Sequence, residues 1–488
     1  MFKLKILRNQ KVSLISVVQI LFYTYPLSFV LGNLAVSLNC VLFVLFGLFL
    51  IKQNRLAVRF GIFFWLLFIF LLFFFINTLV QFKFPGLIWK EYVPIAKEAY
   101  GRFSLDRWID TNGDPVYKTF FLVRFLLLMF VAECLFFNKI LNLKKFFLSS
   151  CICTTFVSLD ILLQYFSGTD LFGYEKQGAW SSGPFGDEKI ATSYLKNFSF
   201  FSFFYIFDVL NKKKYNKILF IFFVTLHLLA ALLGGIRMPM LILIFGCILI
   251  ILFISRLRIL MSLCLVSFSF FFYLIVNNDQ YFKVTYSSLL TDIIVANKDD
   301  KNKKLNNENL EEEKKEINND NSKVSKKISL LRKSSHNRIF WTALIIWKEQ
   351  PLTGLGFKSY RLKCVELLAK DIINKKENNG ETQEITCANH AHNYYLEILT
   401  EAGVLGLSCF LIFFIILLKN SYHFLRKSFK NMNQEAFLVI PLILIFFLGI
   451  WPIQSTGSFF TTWNATGFWL NIGILCSFVG YKKIKLTS

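Results

Sequence analysis

Apolar runs of bilayer length recur along this chain, and they leave it few ways to fold. A helix needs roughly 18 to 20 apolar residues to cross the hydrocarbon layer. No water reaches backbone groups there, so each run must satisfy its own N–H and C=O groups as a helix. The sequence predicts twelve spans, at 13–31, 35–51, 58–80, 117–137, 146–166, 190–210, 218–235, 238–255, 259–277, 395–418, 436–452 and 464–480. The expected fold class is all-α: a polytopic membrane protein with about twelve transmembrane helices. Composition agrees. Hydrophobic residues make up 55% of the chain and 59 of its residues are Phe. Its mean hydropathy of +0.52 lies well above that of an ordinary globular domain. The N-terminus is basic and then apolar, like a signal peptide. No small-residue cleavage site follows and a second span comes at once, so the first helix is expected to be retained.

Charge orients the spans. Cytoplasmic loops collect Lys and Arg. With a cytoplasmic N-terminus, the inward segments hold Lys3, Lys5, Arg8 and Lys11, then clusters that include Arg55, Lys144, Lys212–Lys214, Arg256, Lys427 and Lys482. These segments carry a single acidic residue, Glu435, and the number of their cations equals the chain's net charge of +23. The remaining cations balance the 31 acids. The excess is therefore a topology signal, and nucleic acid is not needed as a partner to explain it. An even number of spans places both termini in the cytoplasm.

Three larger segments then face outward: 81–116, 167–189 and a long loop at 278–394. The chain divides into spans one to nine (1–277), that loop, and spans ten to twelve with a cytoplasmic tail (395–488). Within the loop, 297–328 is a Lys/Asn/Glu tract with almost no apolar content, which reads as a solvated insertion. An amphipathic helix is expected at 336–349, too short to cross before Pro351 stops it. Trp341 and Trp347 suit a helix lying among lipid headgroups. The pair Gly354 and Gly356 fits a tight turn better than a phosphate cradle.

Eight of the ten cysteines lie in or beside apolar spans and read as small buried hydrophobes. Cys364 and Cys387 share the external loop with no other external cysteine to compete. In an oxidising compartment they would pair; the alternative is two free thiols.

The distinctive chemistry lies in Asn389-His390-Ala391-His392-Asn393-Tyr394-Tyr395-Leu396-Glu397, where the loop returns to the membrane. A neutral imidazole is a natural general base near pH 7. His392 is the candidate because it stands closest to the helix start; His390 could be the base instead, or could orient the other ring. Asn393 reads chiefly as an N-cap. Arg237 lies in an apolar stretch of about 40 residues, where a cation needs a polar cavity or ligand, or a snorkelling path to the surface. Arg338 opens the amphipathic helix. Planar guanidinium groups suit a diphosphate. Arg124 and Asp160 could pair between spans four and five. No Asp-x-Asp stands outside the membrane, and no His/carboxylate pair has helical ligand spacing, so no metal or other cofactor is expected.

Several of these motifs, taken in order, resemble the O-antigen ligase and polymerase superfamily. The segment His390–Leu396, followed by Glu401-Ala402-Gly403-Val404-Leu405-Gly406, resembles the end of that family's large periplasmic loop. Arg338, Trp341 and Pro351–Gly356 resemble its start. Gly234-Gly235-Ile236-Arg237 resembles an earlier arginine at the outer end of a span, and Gly183–Glu188 a shorter loop. The likeness runs over about residues 160–480, and the Lys/Asn/Glu tract departs from it. It implies an inner-membrane glycosyltransferase acting at the periplasmic face, without a metal and with inversion. The donor would be a glycan on undecaprenyl diphosphate. The acceptor would be lipid A–core in a ligase or another lipid-linked glycan in a polymerase. Arg237 and Arg338 would hold the diphosphate. His392 would be the base, and His390, Asn393, Trp341, Gly354 and Gly356 would contact substrate, with membrane lipids around them. Transfer to a protein is a further reading, and a twelve-span transporter or flippase is the rival from another class.

Overall fold

The computed structural model describes residues 8–81, 115–178, 180–210, 216–284, 286, 335–378, 385–430 and 434–480. The segment 82–114, the tract 297–328, and Lys3, Lys5, Lys212, Lys213, Lys214, Lys482, Lys483 and Lys485 lie outside the described residues. The described elements are helical, apart from two isolated bridges, Thr169 with Glu175 and Gln177 with Trp180. In order they are α1 (Arg8–Tyr23), α2 (Tyr25–Val30), α3 (Asn33–Gln53), α4 (Ile62–Gln81), α5 (Pro115–Phe120), α6 (Val123–Phe137), α7 (Leu143–Ser167) and α8 (Ala191–Leu210). There follow α9 (Asn216–Leu233), α10 (Arg237–Phe253), α11 (Ser255–Asn278), α12 (Ser335–Trp347), α13 (Ser359–Asn378), α14 (Tyr394–Lys430), α15 (Gln434–Gly449) and α16 (Thr462–Val479).

Helices stand at the expected spans, but not all as single bilayer-length rods. Among the described residues, six helices are long and apolar enough to cross a membrane: Asn33–Gln53, Ile62–Gln81, Pro115–Phe137, Leu143–Ser167, Ser255–Asn278 and Tyr394–Lys427. The expected first span is broken at Thr24, with Pro26 in the first turn of α2. Proline has no N–H to donate and its ring crowds the carbonyl four residues back, which favours a break just before it. Thr24 Oγ1 bonds the Ile20 carbonyl at 2.9 Å across the break.

The chain forms two compact units. The first comprises Met1–Cys151, Phe200–Tyr205 and Lys333–Ser488. In lipid, helices associate through close packing more than through the hydrophobic effect, and small residues permit it. Gly473 of α16 does this against α6: a Cβ there would run into the Met129 backbone. Phenylalanines fill the wider gaps, as where Phe70 of α4 meets Phe410 of α14 at 4.4 Å between ring centroids. Arg124 donates to Thr462 Oγ1 at 2.9 Å.

The part of the external loop in this unit has its own small core. Ile339, Ala343 and Ile346 of α12 pack with Tyr360, Cys364, Val365 and Leu368 of α13 and with Ile385, Ala388 and Ala391. The spacing of the α12 residues places them on one face. The amphipathic helix expected among headgroups therefore turns that face into protein. Its Trp347 donates Nε1–H to the Pro351 carbonyl at 3.0 Å. A disulfide joins Cys364 to Cys387, with 5.6 Å between their Cα atoms, and ties α13 to the segment leading into the histidines.

The second unit comprises Ile152–Ser199 and Ile206–Arg332. In it α9, α10 and α11 pack together. Buried His227 is satisfied by the Phe223 carbonyl at 2.7 Å and Thr154 Oγ1 at 3.0 Å, a structural arrangement. Asp160 accepts from the Leu171 N–H at 2.8 Å. The loop after α7 is shaped by Asp170, which accepts from the Phe172 and Tyr174 N–H groups at 3.0 and 2.6 Å. Asp187 accepts from Gln177, so it also helps shape this loop.

Candidate functional site

Three of the chain's five histidines gather in the first unit. The His390 and His392 rings lie 4.1 Å apart between centroids, and His336 of α12 meets His392 edge-on at 5.3 Å. His392 stands in the left-handed backbone region, at φ 53°. A non-glycine residue is uncommon there, and such positions collect at functional sites. The next residue explains the turn. Asn393 Oδ1 accepts from the Tyr395 and Leu396 N–H groups at 3.0 and 3.2 Å, which caps α14. Its amide donates to the carbonyls of Pro452 and Gln454 at 3.0 and 3.2 Å. The amide of Asn393 is thus engaged with protein at both ends.

The loop between α15 and α16 closes over the histidines. The Thr456 N–H donates to the His392 carbonyl at 2.8 Å. The Thr456 carbonyl lies 3.2 Å from His390 Nε2. Ser455 Oγ is 3.3 Å from His336 Nδ1. If His390 presents an N–H to Thr456, its other ring nitrogen keeps a lone pair. Burial, the neighbouring His392 and Arg361 push His390 down to about 4, against the opposing pull of the Thr456 carbonyl. Burial and His336 also lower His392, again opposed by Thr456. Both imidazoles are therefore neutral near pH 7, which is the state a general base requires.

Below the histidines α14 carries two buried carboxylates one turn apart. Glu397 accepts from the Ser458 hydroxyl and from the Phe459 N–H, the latter at 2.7 Å. Glu397 and Glu401 are each only 3% exposed. Lys358 and Arg361, at the start of α13, are their charge partners. Burial, Arg361 and Lys118 hold Lys358 down to about 8, while Glu401 and Glu397 oppose them. This group joins the histidines through Arg361, the cation coupled to His390.

The glycine turn reaches the same helix. Gly403 breaks α14 at φ 64°, ψ −168°. The break frees backbone groups, and the turn after Pro351 takes them up. The Leu355 and Gly356 N–H groups donate to the Thr400 and Glu401 carbonyls at 3.0 and 2.9 Å. The Val404 and Leu405 N–H groups donate to the Pro351 and Leu352 carbonyls at 2.9 and 3.1 Å. A Cβ on Gly354 would collide with the backbone at Glu401, Ala402 and Gly403. Gly356 approaches the Thr78 backbone. Both glycines are thus explained by backbone contact with protein.

The structure therefore brings His390, His392 and Asn393 together. It adds His336, Thr456, Glu397, Glu401, Lys358 and Arg361, which the sequence reading did not select. Arg338 lies two residues from His336, so it leaves the helix on nearly the opposite side. Its Nε is buried without a hydrogen-bond partner. Trp341 follows it on α12, half-buried. Arg237 belongs to the second unit, where it begins α10 and faces Tyr286. There Gly235, at φ 74°, brings the preceding turn against Trp180. A signal for the two glutamates was present: ionisable groups inside an apolar run are functional candidates by default. Lys358 and Arg361 sit in an ordinary polar loop sequence and carried no such mark. Thr456 acts through its backbone, which no side-chain pattern reveals.

All the expected site residues, and both glutamates, fall between residues 220 and 411. Those residues match the O-antigen ligase family, Wzy_C. Over 149 residues the chain is also 27% identical to a Rickettsia conorii protein provisionally named a polysaccharide ligase. That stretch is 30% of this chain and 33% of the relative, so the likeness spans about a third of each. The O-antigen ligase match includes α10, α12, α13 and the break in α14. Among the described residues no group of three or more His, Cys, Asp or Glu is arranged to hold a metal ion.

Proposed function

We propose that this protein moves a glycan from undecaprenyl diphosphate to an acceptor hydroxyl at the periplasmic face of a bacterial inner membrane, as an O-antigen ligase does. The observation that supports this reading is the pair of half-buried imidazoles packed together just before α14, with the Thr456 carbonyl against His390, within the stretch that matches the ligase family. His392 takes the proton of the attacking hydroxyl. The hydroxyl oxygen bonds to the anomeric carbon from the side opposite the diphosphate. The carbon–oxygen bond to the phosphate breaks, and its electron pair leaves on the diphosphate. The leaving group already carries charge, so what it needs is cations. Arg338 supplies a guanidinium with a buried, unbonded Nε, and Arg237 is proposed for the same chemistry from its own surroundings. A guanidinium fork matches phosphate oxygens in a way an ammonium cannot. The reaction on this reading uses no metal.

Lipid A–core is the proposed acceptor, with both termini cytoplasmic and the long loop periplasmic across about twelve spans. A second lipid-linked glycan as acceptor would make the protein a polymerase. Deleting the gene in its host and analysing surface glycans tests the reading. Loss of all long chains from lipid A–core, with lipid-linked polymer accumulating, is the expected result. Core capped with a single repeat unit would mean polymerase. Unchanged surface glycans, with lipid-linked units trapped on the cytoplasmic side, would contradict the transferase reading and favour a flippase.

A further inference from the structure

The loop that holds the histidines has no regular secondary structure from Gln454 to Ser458. No helix or sheet ladder of its own fixes the Thr456 peptide. Side chains of α14 bond the loop on either side of it. Asn393 takes the upstream end through the Pro452 and Gln454 carbonyls. Glu397 takes the downstream end: one carboxylate oxygen accepts from the Ser458 hydroxyl and the other from the Phe459 N–H at 2.7 Å. Both oxygens of this buried side chain thus serve one loop, two and three residues beyond Thr456. Thr456 in turn touches the histidines from both ends of its peptide, N–H to the His392 carbonyl at 2.8 Å and carbonyl to His390 Nε2 at 3.2 Å.

We propose that Glu397 is a positioning residue for the His392 base, holding the 456–459 segment so that the Thr456 carbonyl faces both imidazoles. The proposal rests on the glycosyltransferase reading above. A carboxylate at membrane depth is costly unless it is bonded or useful. Here its bonds hold the loop two and three residues beyond the peptide that faces the proposed base. The role needs only acceptor geometry, not a transferable proton. Other charges face the same groups. Lys358, Arg361 and Glu401 lie by Glu397, Arg361 also acts on His390, and His336 faces His392.

The test uses full-length protein in proteoliposomes, with lipid-linked glycan and acceptor glycolipid extracted from the producing cells as the probe. Glu397→Ala should lower kcat about 10- to 100-fold, part of what loss of a general base costs, with KM for donor changed by less than about 3-fold. The acid limb of the kcat profile should also move to lower pH. A carbonyl that accepts an imidazole N–H favours the protonated ring, so losing it lets the base stay neutral in more acidic solution. A variant that merely folded less well would scale the profile without moving the limb. Glu397→Gln should stay within about 3-fold of wild type, because its amide oxygen can accept from Phe459 and its NH₂ can donate to the Ser458 oxygen. If Glu397→Ala fails to insert, Ser458→Ala removes one of the two bonds at little change in volume and should move the limb the same way. Wild-type kcat in Glu397→Ala, an unmoved limb in whichever variant inserts, or a Gln variant as impaired as the Ala variant would overturn the positioning role. His392→Ala, measured alongside, separates the two ideas: if it keeps wild-type rates, the base assignment itself fails.

Discussion

At φ 53°, His392 occupies a backbone region that few non-glycine residues adopt, held by the Thr456 N–H on its carbonyl and by the Asn393 cap that follows. His390 and His392 are both depressed, by burial first and then by a neighbouring histidine, His392 for the former and His336 for the latter. The sign of the consequence follows. A base works when unprotonated, so a lowered His392 keeps transfer running below the ordinary histidine value of about 6.5. The acid limb of the kcat profile should therefore have its midpoint below pH 6.5. A steady-state pH series measures this, and an acid limb above 6.5 would contradict the assignment. Burying neutral imidazole also means that the fold loses stability as pH falls from about 6.5 toward 4, the value to which His390 is pushed. At this scale the sequence revealed the two histidines and the asparagine cap, because an unusual polar cluster stands against an apolar run. It did not reveal Thr456 or Arg361, because a backbone carbonyl has no residue type and a lone arginine in a polar loop looks solvated.

The element that organises the site is the broken helix α14. Its interruption at Gly403 lets the turn after Pro351 dock backbone to backbone, and this fixes one end of the external loop to the membrane-buried part of the first unit. Gly403→Ala should be destabilising beyond its small change in volume. This backbone region, at positive φ with ψ near 180°, is open essentially to glycine alone and costs a Cβ-bearing residue about 1–3 kcal/mol, and the new methyl would collide with the Leu352 carbonyl. Unfolding in detergent should show an earlier transition, and an unchanged midpoint would refute the docking argument. The disulfide stabilises the other end of the loop. Cys387→Ser should lower loop stability by roughly 3 kcal/mol on the chain-entropy argument, seen as faster proteolysis within 335–391; unchanged protease resistance would contradict it. Hydropathy located the helices well, since a long apolar run leaves little alternative. It treated 395–418 as one rod because nothing in Ala402-Gly403-Val404 distinguishes a tolerated glycine from a helix break. It gave α12 to the headgroups, since an amphipathic face does not say whether lipid or protein covers it. It did not single out α13, whose sequence grows polar toward Asn378.

For the whole molecule, the charge pattern makes a claim independent of the site. With the cations of the inward segments matching the net charge of +23, both termini and residues 211–217 should be cytoplasmic and residues 297–328 external. Single cysteines placed at these positions in intact cells should react with an impermeant thiol reagent only in 297–328. Protection of that tract, where an external control site reacts, would invert the topology and put the histidines on the wrong side for a periplasmic reaction. The central claim is that His392 is the base of a metal-independent glycan transfer. Its most direct test is the transfer rate of correctly inserted His392→Ala protein in proteoliposomes, with donor binding measured separately and a chelator present throughout. The account predicts a rate lower by about 10²–10⁴-fold, donor binding nearly unchanged, and wild-type activity indifferent to the chelator. A His392→Ala protein that transfers glycan at the wild-type rate would contradict it.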